Sequence, residues 1–355
     1  MMLEEISKFS HIMYQLNQKG RIDLIPTCRA LEADIVSRFA FGTTIGAIDS
    51  LQRSRELLDI IHNNDMKSCT MPISVNFPRA MAIWGFLEKL CFRLFGRESR
   101  STSVTKQFDQ WTDEHSRRTE NGKKVETSFI NTMIRGQMPF QAAVSEAKEM
   151  LGPGTDTTSA TLAHILWALS LNQTFQEELA SDLATAEWPT DMAQLEAIPR
   201  LVACVKEGIR WTGAAAAMLP RVVPREGTRL AGKFLPGGTI VSSSPIWYLR
   251  DEIAFLDPMS YRPSRWLTDK TDPLNSLRDD YYIPFSKGPS TCIGIHFSYL
   301  ELYLSVSQVL KNYCLKPGEY SFISADTEAT LPPRLEWVAA VPTTTLGINL
   351  QRRYS

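Results

Sequence analysis

The segment Phe285-Ser286-Lys287-Gly288-Pro289-Ser290-Thr291-Cys292-Ile293-Gly294 sets a cysteine where a glycine-containing loop runs into a helix. Backbone amides at a helix start are unpaired donors, and the helix dipole favours negative charge there. The position therefore suits a thiolate. Gly288 and Gly294 let the backbone come close to a flat ligand, and Phe285 can pack beside the sulfur. A charged sulfur, N–H donors and a dry apolar wall are what a metal-bound thiolate needs. Taken alone, the same pattern also describes an inert cysteine buried at a helix start.

Three further groups precede the loop. Glu207 and Arg210 lie three residues apart on a helix expected over 199–211, so they share a face and can pair. Leu201, Val202, Val205 and Ile209 on that helix bring the pair near a core, although an isolated pair of this spacing is usually a surface one. Tyr261-Arg262-Pro263-Ser264-Arg265-Trp266 reads as a turn carrying an arginine. Pro153-Gly154-Thr155-Asp156-Thr157-Thr158 interrupts a long apolar run from about Phe140 to Leu171 with poor helix formers. Pro153 removes an N–H and leaves the carbonyl of Glu149 without its usual partner. Read plainly, this is a break between two helices.

These groups sit in a chain of 355 residues, 43% hydrophobic and 22% charged, with a net charge of −1. The balance gives no electrostatic case for nucleic acid or an anionic membrane surface. Cysteines 28, 69, 91, 204, 292 and 314 form no CxxC pair and read as reduced thiols. The opening MMLEEISKFSHIMYQ lacks a basic stretch followed by an apolar one, so neither a signal peptide nor an anchor is expected in it. Helical periodicity appears over 31–41, 51–63, 78–95, 174–186 and 199–211. On the 78–95 helix Ile83, Phe86, Leu87, Leu90 and Leu94 make one broad apolar face, a pattern that usually marks core, although the apolar stretch 71–95 also suits contact with a bilayer. After Thr212 short β-like runs appear at 229–231 and 239–242, then a helix from about Gly294 to Tyr313 and a strand pair within 335–350. The expectation is a mainly α protein with a minor β portion, in a single domain over 1–355.

The cysteine loop resembles the Phe-x-x-Gly-x-Arg-x-Cys-x-Gly pattern of the cytochrome P450 family, the haem-thiolate monooxygenases, with Ser290 in place of the arginine. Glu207-x-x-Arg210, the Pro263-x-Arg265-Trp266 segment and Gly154-x-Asp156-Thr157-Thr158 resemble the family's other motifs, in the family's order. Pro153 stands where the family has a small residue. The resemblance runs from about Gly20 to the end and is similar to fungal microsomal members. It implies a P450 fold, haem as cofactor and Cys292 as axial ligand of the haem iron. It further implies a buried triad of Glu207, Arg210 and Arg265 behind the loop, a propionate contact from Arg221, and Phe285, Gly288 and Gly294 around the ring. Asp156 would serve proton delivery and Thr157 would offer a hydroxyl on the oxygen side. In the family, the segment resembling 34–42 comes well inside the chain, so the anchor, first strands and first helices are expected to be absent here.

The activity so implied is hydroxylation or epoxidation of a small apolar substrate with O2, in fungal secondary metabolism, on a terpenoid by analogy. Electrons would come from NADPH through NADPH–cytochrome P450 reductase at the cytosolic face of the endoplasmic reticulum membrane, since no flavin motif is present. A substrate pocket is expected near Leu151, Ala215 to Leu219 and the tail. The alternatives are a non-catalytic remnant of the fold, and a haem-thiolate isomerase or dehydratase that needs no reductase.

Overall fold

The computed structural model describes residues 1–20, 22–53, 77–95, 109–116, 128–269, 271–318, 329–336 and 339–353. Helices dominate: α1 Met2–Gln18, α2 Leu24–Phe41, α3 Ala47–Arg53, α4 Pro78–Phe95, α5 Phe129–Arg135, α6 Phe140–Leu171, α7 Gln173–Thr185, α8 Met192–Glu196, α9 Pro199–Thr212, α10 Pro245–Leu249, α11 Leu274–Tyr281 and α12 Ile295–Asn312. A further helical stretch lies at 109–116. Strands are short. β1 (Ile22–Asp23) and β6 (Tyr313–Pro317) flank β9 (Gly347–Arg352) in one antiparallel sheet. β2 (Leu219–Val222) pairs with β5 (Ile240–Ser243), β3 (Thr228–Leu230) with β4 (Lys233–Leu235), and β7 (Arg334–Glu336) with β8 (Ala340–Pro342). The 335–350 tail thus makes one hairpin and then sends β9 to a different sheet.

α6 is the axis of the fold. It is 32 residues long, which at about 1.5 Å per residue spans about 48 Å. Its second half, Thr161 to Leu171, is buried throughout, as an apolar helix must be when neighbours cover it on all sides. α2, α9 and α12 supply that cover. Gly208 of α9 allows the closest crossing: a Cβ there would lie 2.2 Å from Ile165 Cγ1 on α6. Gly154 does the same against Val36 of α2, at 3.3 Å.

The sequence predicts a break at 152–154, yet one helix runs through Pro153. Gly152, Pro153 and Glu149 are all exposed, so the carbonyl that loses its amide partner can reach water. A proline costs little on that side.

α2 begins seven residues before the predicted start. Asp23 caps it by accepting from the Ile25 amide, and Pro26 falls in the first turn where its missing N–H is not needed. It ends at Gly42, whose φ of 77° closes the helix through a bond to the Arg38 carbonyl. Asp34, inside α2, accepts from the amides of Gly46, Ala47 and Ile48 at 2.7–2.9 Å and so caps α3 from the side. The predicted 51–63 helix lies largely outside the described residues. On α4 the apolar face is not core: Ile83, Trp84, Phe86 and Leu94 are each more than 60% exposed. Periodicity marks a face that suits apolar company without saying what supplies it.

Candidate functional site

α9 builds a densely bonded buried group. Glu207 and Arg210 are wholly buried. The carboxylate receives Arg210 Nε and Nη2, both at 2.8 Å. It also accepts Arg265 Nε at 3.0 Å, the Arg262 amide at 2.9 Å and the Trp266 indole N–H at 2.9 Å. Arg210 spends its other donors on the carbonyls of Leu249, Pro258 and Ser260. Two guanidinium groups around one carboxylate would be costly when buried, but here nearly every donor and lone pair is used. Arg265 and Trp266 come from a 3-10 turn, Pro263–Trp266, whose carbonyl at Arg265 is in turn held by Arg278 Nη1 at 3.1 Å.

Beyond this group, the loop between α11 and α12 carries Cys292. Ser286 has φ of 64° and Gly288 of 78°, the two left-handed positions that turn the loop back on itself. The Cys292 amide donates to the Phe285 carbonyl at 2.9 Å, and Thr291 closes on Gly288 through both its amide and its hydroxyl. The cysteine side chain is exposed and stands two residues before Gly294, the N-cap of α12. Gly294 has an ordinary φ of −85°, so no backbone strain requires glycine there. A Cβ at that position would sit 3.8 Å from the Cys292 sulfur.

Cys292 opens into a cleft of about 240 Å³. Phe285 and Ser290 line it from the same loop. Thr157, Thr158 and Thr161 of α6 line it from the opposite helix, and Gly213 to Ala215 with Leu219 form the apolar side. The three threonines share one face of α6 by their spacing. Thr157 donates to the Pro153 carbonyl at 3.0 Å and Thr161 to the Thr157 carbonyl at 2.8 Å. Thr158 reaches Ser298 of α12 at 3.3 Å, linking the two walls.

Other residues named from the sequence lie elsewhere. Asp156 turns away from the cleft, into an ion pair with Arg29 of α2 at 2.8 Å. Arg221 is exposed on β2, donating to the neighbouring Pro220 carbonyl at 2.9 Å. Gly288 and Gly294 shape the loop without lining the cleft among the described residues. Leu151 is not a pocket residue but sits in a secondary core beside Val36 and Val144, and the tail residues do not line the cleft. Conversely, the sequence reading passed over Arg29, Thr161, Ser298 and the tyrosines flanking the loop. Only Arg29 left a signal, as a lone cation among the apolar residues that open α2.

The donor set fits a flat, iron-centred ring. One cysteine and three threonines line the same cleft together with apolar residues, and no charged side chain lines it among the described residues. No group of three or more metal-binding side chains competes for the assignment among those residues.

Comparison with known proteins gives matches over most of the chain. Residues 1–335 match the family described as Cytochrome P450. The chain is 28% identical over 315 residues to the cytochrome P450 monooxygenase asqL of Emericella nidulans, covering 84% of this chain and 63% of that one. It is 26% identical to the cytochrome P450 monooxygenase macH of Penicillium terrestre, covering 89% and 64%. It is 31% identical to the fusicoccadiene C-8 hydroxylase of Phomopsis amygdali, covering 66% and 48%. The chain thus spans less than two-thirds of the length of these relatives.

Proposed function

The chain belongs to the cytochrome P450 family, and from that premise we propose that it is a haem-dependent monooxygenase with Cys292 as the axial ligand. The observation that carries this reading is the single cleft lined both by Cys292 and by Thr157, Thr158 and Thr161 of α6. Haem, when bound, supplies the activation of O2 for insertion of one oxygen atom into a substrate C–H or C=C bond, which a sulfur ligand favours by donating electron density.

The chain's own residues do the rest. Cys292 holds the ring, and Phe285 covers the sulfur side of the loop. Ser290 offers a hydroxyl at the place where a cation is usual, so the hold on the ring's carboxylates falls to groups beyond the cleft lining, with Arg221 on β2 the candidate named by the resemblance. The Thr157 hydroxyl carries a proton at the cleft surface, with the Pro153 carbonyl as its resting partner. Asp156, held by Arg29, serves proton supply by exchanging that partner, not by direct contact with the cleft. Gly213 to Ala215 and Leu219 exclude water and suit a small apolar substrate. Relatives named as a fusicoccadiene hydroxylase and as fungal monooxygenases support a terpenoid or similar compound of fungal secondary metabolism.

Electrons would come from NADPH through a flavoprotein reductase at the endoplasmic reticulum membrane. No described helix is long and apolar enough to cross a membrane. The exposed apolar face of α4 suits the interface of a bilayer instead. Haem titration into the purified chain, followed by a carbon monoxide difference spectrum after reduction, tests the proposal. A band at the thiolate position is expected. No Soret band after haem supplementation would leave a non-catalytic remnant as the better reading, and substrate turnover without NADPH and reductase would favour an isomerase or dehydratase.

A further inference from the structure

We propose that the Tyr282–Tyr299 phenol pair is the positioning element of the cysteine loop, a hydrogen bond that closes the loop at its neck and so fixes the sulfur. The inference rests on the reading of Cys292 as the haem ligand and extends it to residues to which no motif assigns a role.

Tyr282 directly follows α11, and Tyr299 lies in the second turn of α12. The sixteen residues between them carry Phe285, Ser290 and Cys292. The two hydroxyls meet at 2.9 Å, so a long excursion of chain leaves and returns through one polar contact. Tying its ends together shortens the free loop and reduces the conformations open to it.

Each phenol is itself anchored. The Tyr282 amide donates to the Arg278 carbonyl at 2.8 Å. Its ring meets Trp266 edge-on at 5.2 Å, and Trp266 gives its indole N–H to Glu207. Lys206 lies over both rings, 4.1 Å from Trp266 and 4.9 Å from Tyr282. Tyr299 stands 5.5 Å from Phe285, and the carbonyl of Phe285 receives the Cys292 amide. An unbroken run of contacts therefore joins the buried carboxylate to the sulfur: Glu207, Trp266, Tyr282, Tyr299, Phe285, Cys292. Burial pushes the pKa of both phenols above the usual tyrosine range, so the pair stays protonated at neutral pH and keeps its hydrogen bond.

The test uses the full chain with Tyr282→Phe and Tyr299→Phe combined, which removes both hydroxyls and leaves neither unpaired. Tyr261→Phe is the control, since it also deletes a buried phenol bond, to the Cys204 carbonyl at 2.9 Å, but away from the loop. In the haem-free chain, amide exchange at Cys292 is expected to quicken on the order of tenfold in the double variant, the scale of one hydrogen bond, and to be unchanged in the control. In the haem-loaded chain, the reduced carbon monoxide band is expected to move from the thiolate toward the thiol position in the double variant alone. Unchanged exchange and unchanged band, or equal changes in Tyr261→Phe, would overturn the clamp. A wild-type chain with no thiolate band but with the exchange difference intact would overturn the ligand reading and spare the clamp.

Discussion

Arg29 and Asp156 are 127 residues apart in sequence and join α2 to α6 through one carboxylate oxygen, at 2.8 Å from Nη2 and 3.2 Å from Nε. The acid that the motif assigns to proton delivery is thereby aimed at the helix interface, one residue before the threonine that faces the cleft. Both side chains are mostly buried, at 9% and 16% exposure. Arg29→Ala should lose about 2–3 kcal/mol of unfolding free energy, less than a fully buried pair because some water reaches the carboxylate. Urea unfolding measures it, and a wild-type midpoint would show that the pair holds nothing together.

Glu207→Gln should be far more damaging. The glutamine would leave two guanidinium groups without their counter-charge and would place an amide nitrogen against one of five donors. A loss of about 3–5 kcal/mol is expected, with haem retention falling alongside. Denaturant titration of the variant next to Arg265→Lys checks it. Equal, small losses in both would mean that the cluster is not the anchor described.

The pair Glu32 of α2 and Glu301 of α12 should make the protein sensitive to alkali. Both are buried, and no other described residue donates a hydrogen bond to either carboxyl, so the two acids meet each other. Burial pushes Glu301 up to about 7, and burial together with the charge of Glu301 pushes Glu32 well above the carboxylate range. The folded state therefore holds protons that the unfolded chain releases near pH 4.5. The stability this contributes is full below that value and is lost as pH rises through about 7. The midpoint of thermal unfolding should fall as pH rises from about 4.5 to 7 in the wild type and fall less in Glu301→Gln. A steeper fall in the variant would contradict the assignment.

Gly208→Ala should cost about 1–3 kcal/mol, since its methyl would overlap Ile165 across the α9–α6 crossing. Ile165→Ala in the same chain should recover part of the loss, because it clears the overlapping atoms. Additive losses in a double-mutant cycle would show that the two helices give way elsewhere.

What the sequence revealed follows the reach of each signal. Helix α9 and the loop around Cys292 were legible because their patterns are local: three-residue spacing for Glu207 and Arg210, a glycine loop before an apolar helix for Cys292. The approach of Arg265 to Glu207 could be expected only through family resemblance, since a contact over 58 residues leaves no periodic trace, and the Trp266 indole bond was not expected at all. Arg29 with Asp156 and Tyr282 with Tyr299 were not legible at all, because tertiary packing alone brings them together. Pro153 misled in the other direction, as its cost depends on which side of the helix meets water. The face of α4 was left open by the sequence, since an apolar stripe does not name its neighbour.

Iron K-edge X-ray absorption on the haem-loaded chain tests the central claim most directly. The account predicts a sulfur scatterer in the first shell of the iron, lost in Cys292→Ser. A first shell without sulfur in the wild type, or one unaltered by Cys292→Ser, would contradict it.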